Sequence, residues 1–329
     1  MVKYESNMVL ATKKYKVIGT RPIRHDGTDK VTGAAKYGAD FKPARLLHGA
    51  TLRSPHAHAR IKSIDTSAAE ALPGVKAVVT SKDFPLTAKS QKLERELEDV
   101  KQKYEFTWQN VLAGDKALYK GHAVAAVAAT SQHIANEALS LIKVDYQVLQ
   151  PVLTALEGSN PQAPLLHDNL KTQSLGQKSN RPSNVAKRIR YQQGNVEKGF
   201  NQADIVIERE FNTKTVHQGY IEPHASTAFW NQDGRLHIWS STQDTFGIRD
   251  TVADLLDIPV SRIKVTPSEI GGGFGGKLVA YLEPVASLLS RKTGTPVKLT
   301  MNRNEVFEGT GPTSGSHVKL KLGATDDGK

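Results

Sequence analysis

No cysteine occurs in the 329 residues. That excludes disulfides, Cys-ligated iron–sulfur clusters and thiolate zinc sites from this chain, and it suits a reducing, cytoplasmic setting. No apolar run approaches the ~20 residues that a membrane-crossing helix needs. Residues 1–16 alternate polar and basic side chains without the apolar stretch of a signal peptide, so they read as a flexible tail. There is no G-x-S-x-G elbow and no Ser/His/Asp order suggesting a hydrolase. Aromatic residues make up only 6% of the chain, which bears on its charge.

The net charge is +11, and the excess is concentrated. Between Asn169 and Val196 stand six basic residues (Lys171, Lys178, Arg181, Lys187, Arg188, Arg190) and no acidic one. Tyr191 is the only aromatic there, whereas nucleic-acid surfaces interleave stacking rings with their cations. The stretch reads as a solvated linker or a partner contact, and nucleic acid is not expected as a partner.

Short elements of both kinds follow one another, which predicts an α+β fold. Leu47–Leu52, Lys76–Thr80 and Lys143–Tyr146 have β-type patterns, and the apolar run Val124–Ala129 suits a buried strand. Asp65, Thr66 and Ser67 offer caps for a short helix stopped by Pro73-Gly74. Ser131 can cap a helix that aligns Ile134, Ala138, Leu141 and Ile142. The charged segment 93–104 reads as an exposed, inserted helix. Past 190, strands are predicted at Ile205–Arg209, Ala225–Trp230 and Leu236–Ser240, with a hairpin turn at Asp233-Gly234. A helix then aligns Ile248, Val252, Leu255 and Leu256 and ends by Pro259; strands at Arg262–Thr266 and Pro296–Met301 flank a further helix that stops at Gly294. Pro284 either opens that helix or kinks it.

Gly271-Gly272-Gly273-Phe274-Gly275-Gly276-Lys277 is the strongest chemical signal. Such a loop lets backbone amides approach a ligand closely and can nest an anion; a plain structural turn is the bland alternative. As a phosphate loop it fails, because Leu278 stands where a Mg²⁺-binding Ser or Thr is needed. As a dinucleotide site it gives G-x-G-x-x-G, but the ribose-binding acid is replaced by Asn302-Arg303. Arg303 would suit a 2′-phosphate, which keeps NADP as an alternative. A pterin phosphate is the third option.

The string GGGFGGK resembles the molybdopterin-contacting loop of the xanthine oxidase family. Ser241-Thr242-Gln243 resembles that family's STQ segment, and residues 216–224 (VHQGYIEPH) resemble the strand entering the same pocket. Residues 26–37 (DGTDKVTGAAKY), residues 52–61 (LRSPHAHARI) and Pro73-Gly74-Val75 resemble its α/β hammerhead domain, and Gly194-Asn195-Val196-Glu197 resembles the start of the molybdenum domain. The resemblance implies an α/β hammerhead domain followed by the first part of a mixed α/β molybdopterin-binding domain: a tail at 1–16, the hammerhead at 17–157, a basic linker at 158–192 and an incomplete cofactor domain at 193–329. It implies molybdenum–molybdopterin as cofactor, with the cytosine dinucleotide form one option. Gln243 would be the catalytic contact to the metal's oxo group, and Gly272, Gly273, Phe274, Gly275 and Gly276 would bind the cofactor. The reaction would be hydroxylation of an aldehyde, N-heterocycle or aromatic small molecule with water as oxygen source. Iron–sulfur and FAD partner subunits would carry electrons away, and a further chain would carry the remaining molybdopterin domain.

Two departures stand out. Purine-oxidising members carry Glu directly after GGK, where this chain has Leu278. Family subunits are also more than twice as long, so a non-catalytic cofactor-binding or assembly chain is the other reading. No metal held by protein ligands is expected. His56 and His58 belong to the hammerhead-like segment, and on an extended strand His217 and Glu222 would face opposite sides, which weakens a His217/Glu222/His224 metal site.

Overall fold

The computed structural model describes residues 15–85 and 106–329. The predicted exposed helix at 93–104 lies outside them. Residues 1–36 and 37–329 form two units. In the first, α1 (Gly27–Thr32) ends on Gly33 in the left-handed conformation.

The second unit is built on a seven-stranded sheet. Its strands are β1 (Leu47–Arg53), β3 (Val75–Thr80), β5 (Ala123–Ala129), β11 (Ala225–Trp230), β12 (Leu236–Ser240), β13 (Ile263–Pro267) and β14 (Val297–Thr300), in spatial order β13-β12-β11-β14-β1-β5-β3. β1 runs parallel to β14 and antiparallel to β5, so strands from both sides of the 158–192 stretch share one sheet. Every residue of β5 is buried. Its alternation splits the core: Ala125 and Val127 face a cluster with Ala69, Val78 and Ala138, while Ala126 and Ala128 join the cluster of Ile248, Val252, Leu255 and Leu289. Small side chains let helices sit close on both faces.

Those helices follow the sequence pattern. In α2 (Ser67–Ala71), Asp65 rather than Thr66 takes the Ser67 N–H, at 3.0 Å. In α3 (Gln132–Leu141), Ser131 accepts the Ile134 N–H; Ala135 and Ala138 are fully buried while Ile134 and Leu141 sit at the margin. α6 (Thr245–Leu256) buries Ile248, Val252, Leu255 and Leu256, as their spacing predicts, and stops at Asp257, two residues ahead of Pro259. α7 (Glu283–Thr293) carries Pro284 in its first turn and ends on left-handed Gly294, so Pro284 opens the helix and introduces no kink.

Three smaller sheets complete the unit. β2 (Ala59–Asp65), unmarked in the sequence pattern, pairs with β4 (Lys116–Ala117) and β6 (Lys143–Val148). The stretch that reads as a linker is ordered: after α4 (Ala155–Ser159), β7 (Lys171–Ser174) pairs with β8 (Gln177–Pro182) and β9 (Lys187–Arg188), turning at Leu175-Gly176 with both residues at positive φ. α5 (Val196–Gln202), capped by Asn195, leads into β10 (Ile205–Thr213), which pairs with β15 (Ser316–Ala324). α8 (Arg303–Gly309), also unmarked in the sequence pattern, is opened by a reciprocal Asn302–Glu305 capping box. No helix of the described residues is long and apolar enough to cross a membrane.

Candidate active site

β12 ends at Ser240, and the chain passes through Ser241, Thr242 and Gln243 to the Asp244 cap of α6. β13 ends at Pro267 on the neighbouring strand, paired in parallel with β12, so the loop that follows it returns beside Gln243. This adjacency brings residues 241–243 and 271–277 together.

The loop is shaped by residues that need left-handed backbone. Gly272, Phe274 and Gly275 have φ of 94°, 48° and 90°, and the Gly276 N–H closes the turn on the Gly273 carbonyl at 2.7 Å. Phe274 is strained there as a non-glycine residue, and its ring stands 73% exposed at the tip. A Cβ at Gly273 would run into Gln243 Oε1, and one at Gly276 would come within 2.8 Å of the Tyr220 ring. Left-handed φ favours glycine at Gly272 and Gly275, and at Gly273 and Gly276 an added Cβ would displace Gln243 or Tyr220.

Gln243 is the residue the loop holds. Its backbone N–H donates to the Lys277 carbonyl at 3.0 Å, and its Oε1 accepts the N–H groups of Gly275 at 3.0 Å and Lys277 at 3.2 Å. Both partners are donors, so the carbonyl end of the amide must face the loop. Nε2 donates to nothing among the described residues, and the side chain is exposed. A neutral donor is thus displayed beside the Phe274 tip. Thr242 supports it by donating to the same Lys277 carbonyl at 3.1 Å.

Behind the loop lies a set of residues that sequence reasoning did not assign. The Lys277 side chain has no solvent exposure; its Nζ donates to Glu222 Oε2 at 2.7 Å and sits 5.1 Å from the Tyr220 ring centre. Burial pushes the Lys277 ammonium below the usual lysine range, and the Glu222 carboxylate opposes that shift. Glu222 Oε2 also accepts the Gly271 N–H at 2.8 Å, tying the start of the loop to the same carboxylate. Tyr220 Oη bonds His224 Nε2 at 2.7 Å and Thr310 Oγ1 at 3.2 Å, and His217 Nε2 bonds Thr310 Oγ1 at 2.9 Å. Burial, helped by the Lys277 charge, lowers the His224 pKa to about 3, so its imidazole is neutral at ordinary pH. His217 and His224 are engaged with hydroxyls and Glu222 with Lys277; residues 217–222 form no strand, so the extended reading of this segment does not hold. His58 Nδ1 contacts the Gln150 carbonyl at 2.8 Å, while the His56 ring packs edge-on to Tyr146.

The dinucleotide alternative loses its geometry. Glu283, the first residue of α7, comes seven positions after Gly276, so the glycines do not open a helix as a pyrophosphate site requires. Arg303 is also committed, donating to the backbone carbonyls of Tyr220, at 2.8 Å, and Ile221.

Next to the loop is a cavity of about 650 Å³ whose walls include Phe106, Tyr119, His167, Thr251, Leu278 and Val279. No Asp, Glu, Lys or Arg among the described residues lines it. Burial lowers the His167 pKa and raises that of Tyr119, so both are uncharged near neutrality.

The chain matches two family models: an aldehyde oxidase and xanthine dehydrogenase α/β hammerhead domain over residues 32–150, and a molybdopterin cofactor-binding domain over residues 177–329. It is 33% identical over 306 residues to a probable xanthine dehydrogenase subunit of Bacillus subtilis, covering 93% of this chain and 38% of that protein. It is 30% identical over 317 residues to the nicotinate dehydrogenase large molybdopterin subunit of Eubacterium barkeri, covering 96% of this chain and 69% of that one. The quinoline 2-oxidoreductase structure from Pseudomonas putida 86 superposes with a TM-score of 0.76 at 31% identity, covering 95% of this chain and 38% of that chain. With matches along nearly its whole length, the chain belongs to the molybdopterin-binding large-subunit family of xanthine-oxidase-type molybdenum hydroxylases.

Proposed function

We propose that this chain supplies part of the molybdenum-cofactor subunit of a multi-subunit hydroxylase, with Gln243 and the Gly272–Gly276 loop as its contribution to the active site. The observation that carries this reading is the clamped amide: Gln243 Oε1 is fixed by two loop N–H groups and its Nε2 is turned outward as a neutral donor. The residues fit the group, since the loop carries no side chain between Gly271 and Gly276 except Phe274 and the buried Lys277 stiffens it from behind. When bound, molybdenum–molybdopterin supplies the redox centre that moves oxygen from water to an electron-poor carbon. Gln243 Nε2 would orient that centre without adding a charge beside it. The Gly275 amide would act through its bond to Gln243, and the Phe274 amide would approach the cofactor from the loop tip.

The neutral, aromatic-walled cavity suits an uncharged aldehyde or N-heterocycle better than a carboxylate, and Leu278 offers no acid to grip a purine. Iron–sulfur and FAD subunits as electron acceptors, the cytosine dinucleotide form of the pterin, a cytoplasmic location and the division at 17–157, 158–192 and 193–329 belong to the same proposal. So does a partner contact at the basic stretch around Lys187–Arg190. A non-catalytic cofactor-binding or assembly chain is the second reading.

The test is purification of the chain with its companions from its native host, with molybdenum and subunits measured by mass spectrometry. About one molybdenum per complex with oxidation of a neutral aldehyde or heterocycle supports the hydroxylase; a folded, metal-free complex overturns it and favours the second reading.

A further inference from the structure

Glu283 is a buried acid that the site described above leaves unused. It is the first residue of α7 and is 5% exposed. No Lys or Arg among the described residues pairs with it, and burial pushes its carboxyl above the usual carboxylate range. An acid in such a place costs free energy that an apolar side chain of similar size would not. Its hydrogen bonds offset part of that cost, and a fully bonded polar group in a core also holds its neighbours in one arrangement. The neighbours of Glu283 belong to the two stretches of chain that meet at the candidate site.

Oε1 accepts the Ser240 hydroxyl at 2.5 Å; Ser240 ends β12, has no solvent exposure and lies three residues before Gln243. Oε2 accepts the Tyr281 N–H at 3.1 Å, on the segment that leaves the glycine loop. Tyr281 follows Leu278, Val279 and Ala280, which line the cavity, and its own hydroxyl accepts the Gly311 N–H. The Ser240 carbonyl in turn accepts the N–H and the hydroxyl of Ser268, at 3.1 and 3.3 Å, just past β13. Residues 240–243 are thus fixed against residues 277–283 at two points. The front point is the bonding of Thr242 and Gln243 to Lys277, and the back point is Ser240 on Glu283. One point alone leaves the two stretches free to turn about it, whereas two points fix the direction of the amide they carry.

We propose that Glu283 is a positioning residue for Gln243: by bracing Ser240 against Tyr281, it sets the direction of Gln243 Nε2 relative to the cavity wall. Glu283 bonds to neither the amide nor the residues that line the cavity, so it acts through Ser240 and Tyr281. The inference deepens the functional reading above and rests on it for what that donor serves. The bracing needs hydrogen bonds and no charge. A glutamine at 283 accepts the Tyr281 N–H through its oxygen and donates to Ser240 Oγ through its nitrogen, in the same volume. A methionine of similar length makes neither bond.

The test is NMR of the full chain with isotope-labelled glutamine nitrogens, in which the Gln243 side-chain resonance is assigned by its loss in Gln243→Leu. Glu283→Met should move that resonance to the position of freely exposed glutamines, and Glu283→Gln should restore it to the parent position. Ser240→Ala, which removes one hydroxyl and leaves the carboxylate, should move it in the same direction and decides the matter if Glu283→Met does not fold. As a second readout, the molybdenum EPR spectrum of the reduced native complex should keep its parent g values in Glu283→Gln and lose them in Ser240→Ala. A Gln243 resonance unmoved in folded Glu283→Met and in Ser240→Ala, whatever the fall in unfolding midpoint, would reduce Glu283 to a structural role and overturn the proposal. So would a Glu283→Gln resonance displaced as far as that of Glu283→Met. A resonance that moves as expected while the parent complex holds no molybdenum would sink the hydroxylase reading and leave the positioning role standing.

Discussion

Behind the Gly271–Gly276 loop, Lys277, Tyr220 and His224 are buried, Glu222 is half-buried, and short polar contacts join Lys277 to Glu222 and Tyr220 to His224. In front of it, Gln243 and Phe274 stand exposed, with few bonds beyond those that orient them. The rear therefore carries the cost of error in stability, since a buried charge or hydroxyl without its partner is expensive. The front carries it in function, since its donors are displayed for a ligand and contribute little to the fold. Substitutions on the two sides should separate in the same way.

The largest expected effect is at the rear. Glu222→Leu leaves the Lys277 ammonium without a counter-charge where its side chain has no exposure, which should cost about 3–5 kcal/mol in urea unfolding. Glu222→Gln retains an acceptor for Lys277 and for the Gly271 N–H, so it should cost clearly less. Equal losses in the two variants would show that the charge of Glu222, and not its hydrogen-bond acceptance, holds the loop from behind.

Acid should come next. His224 has its folded pKa lowered to about 3 from an ordinary 6.5, mainly by burial. The unfolded chain then binds a proton that the folded chain refuses, so stability falls as pH drops below 6.5 and keeps falling toward about 3. His122, lowered to about 4 by burial, adds the same sign. Urea midpoints measured at pH 7 and pH 5 should therefore decline in the native chain and decline less in His224→Gln. A smaller loss is expected at Asn302→Ala, which removes the cap of α8, the helix that leads to Thr310; about 1 kcal/mol is expected in the same assay.

Much of this contrast is readable in the sequence and part of it is not. The front is legible because it is local: GGGFGGK and Ser241-Thr242-Gln243 are continuous strings. The helix face at Ile248, Val252, Leu255 and Leu256 is legible because packing there follows helical spacing. The rear is not, because it joins residues 55 apart in Lys277–Glu222 and 90 apart in Tyr220–Thr310, and no local pattern encodes those pairs. Helix α8 has a signal, the Asn302-x-x-Glu305 capping box, but Asn302-Arg303 also stands where a ribose-binding position would fall, and that reading masks it. The three-stranded sheet within 158–192 escapes because its strands are two to six residues long and polar; backbone pairing orders them with little apolar pattern to betray it.

The most direct test of the division between front and rear is Gly273→Ala. The added methyl would meet Gln243 Oε1, the movable end of a flexible side chain, and Gly273 does not have a positive φ. Unfolding free energy of the variant should stay within about 0.5 kcal/mol of the parent, while molybdenum content of the native complex, measured by mass spectrometry, should fall at least tenfold. Unchanged molybdenum content, or a loss of stability as large as that of Glu222→Leu, would contradict the account.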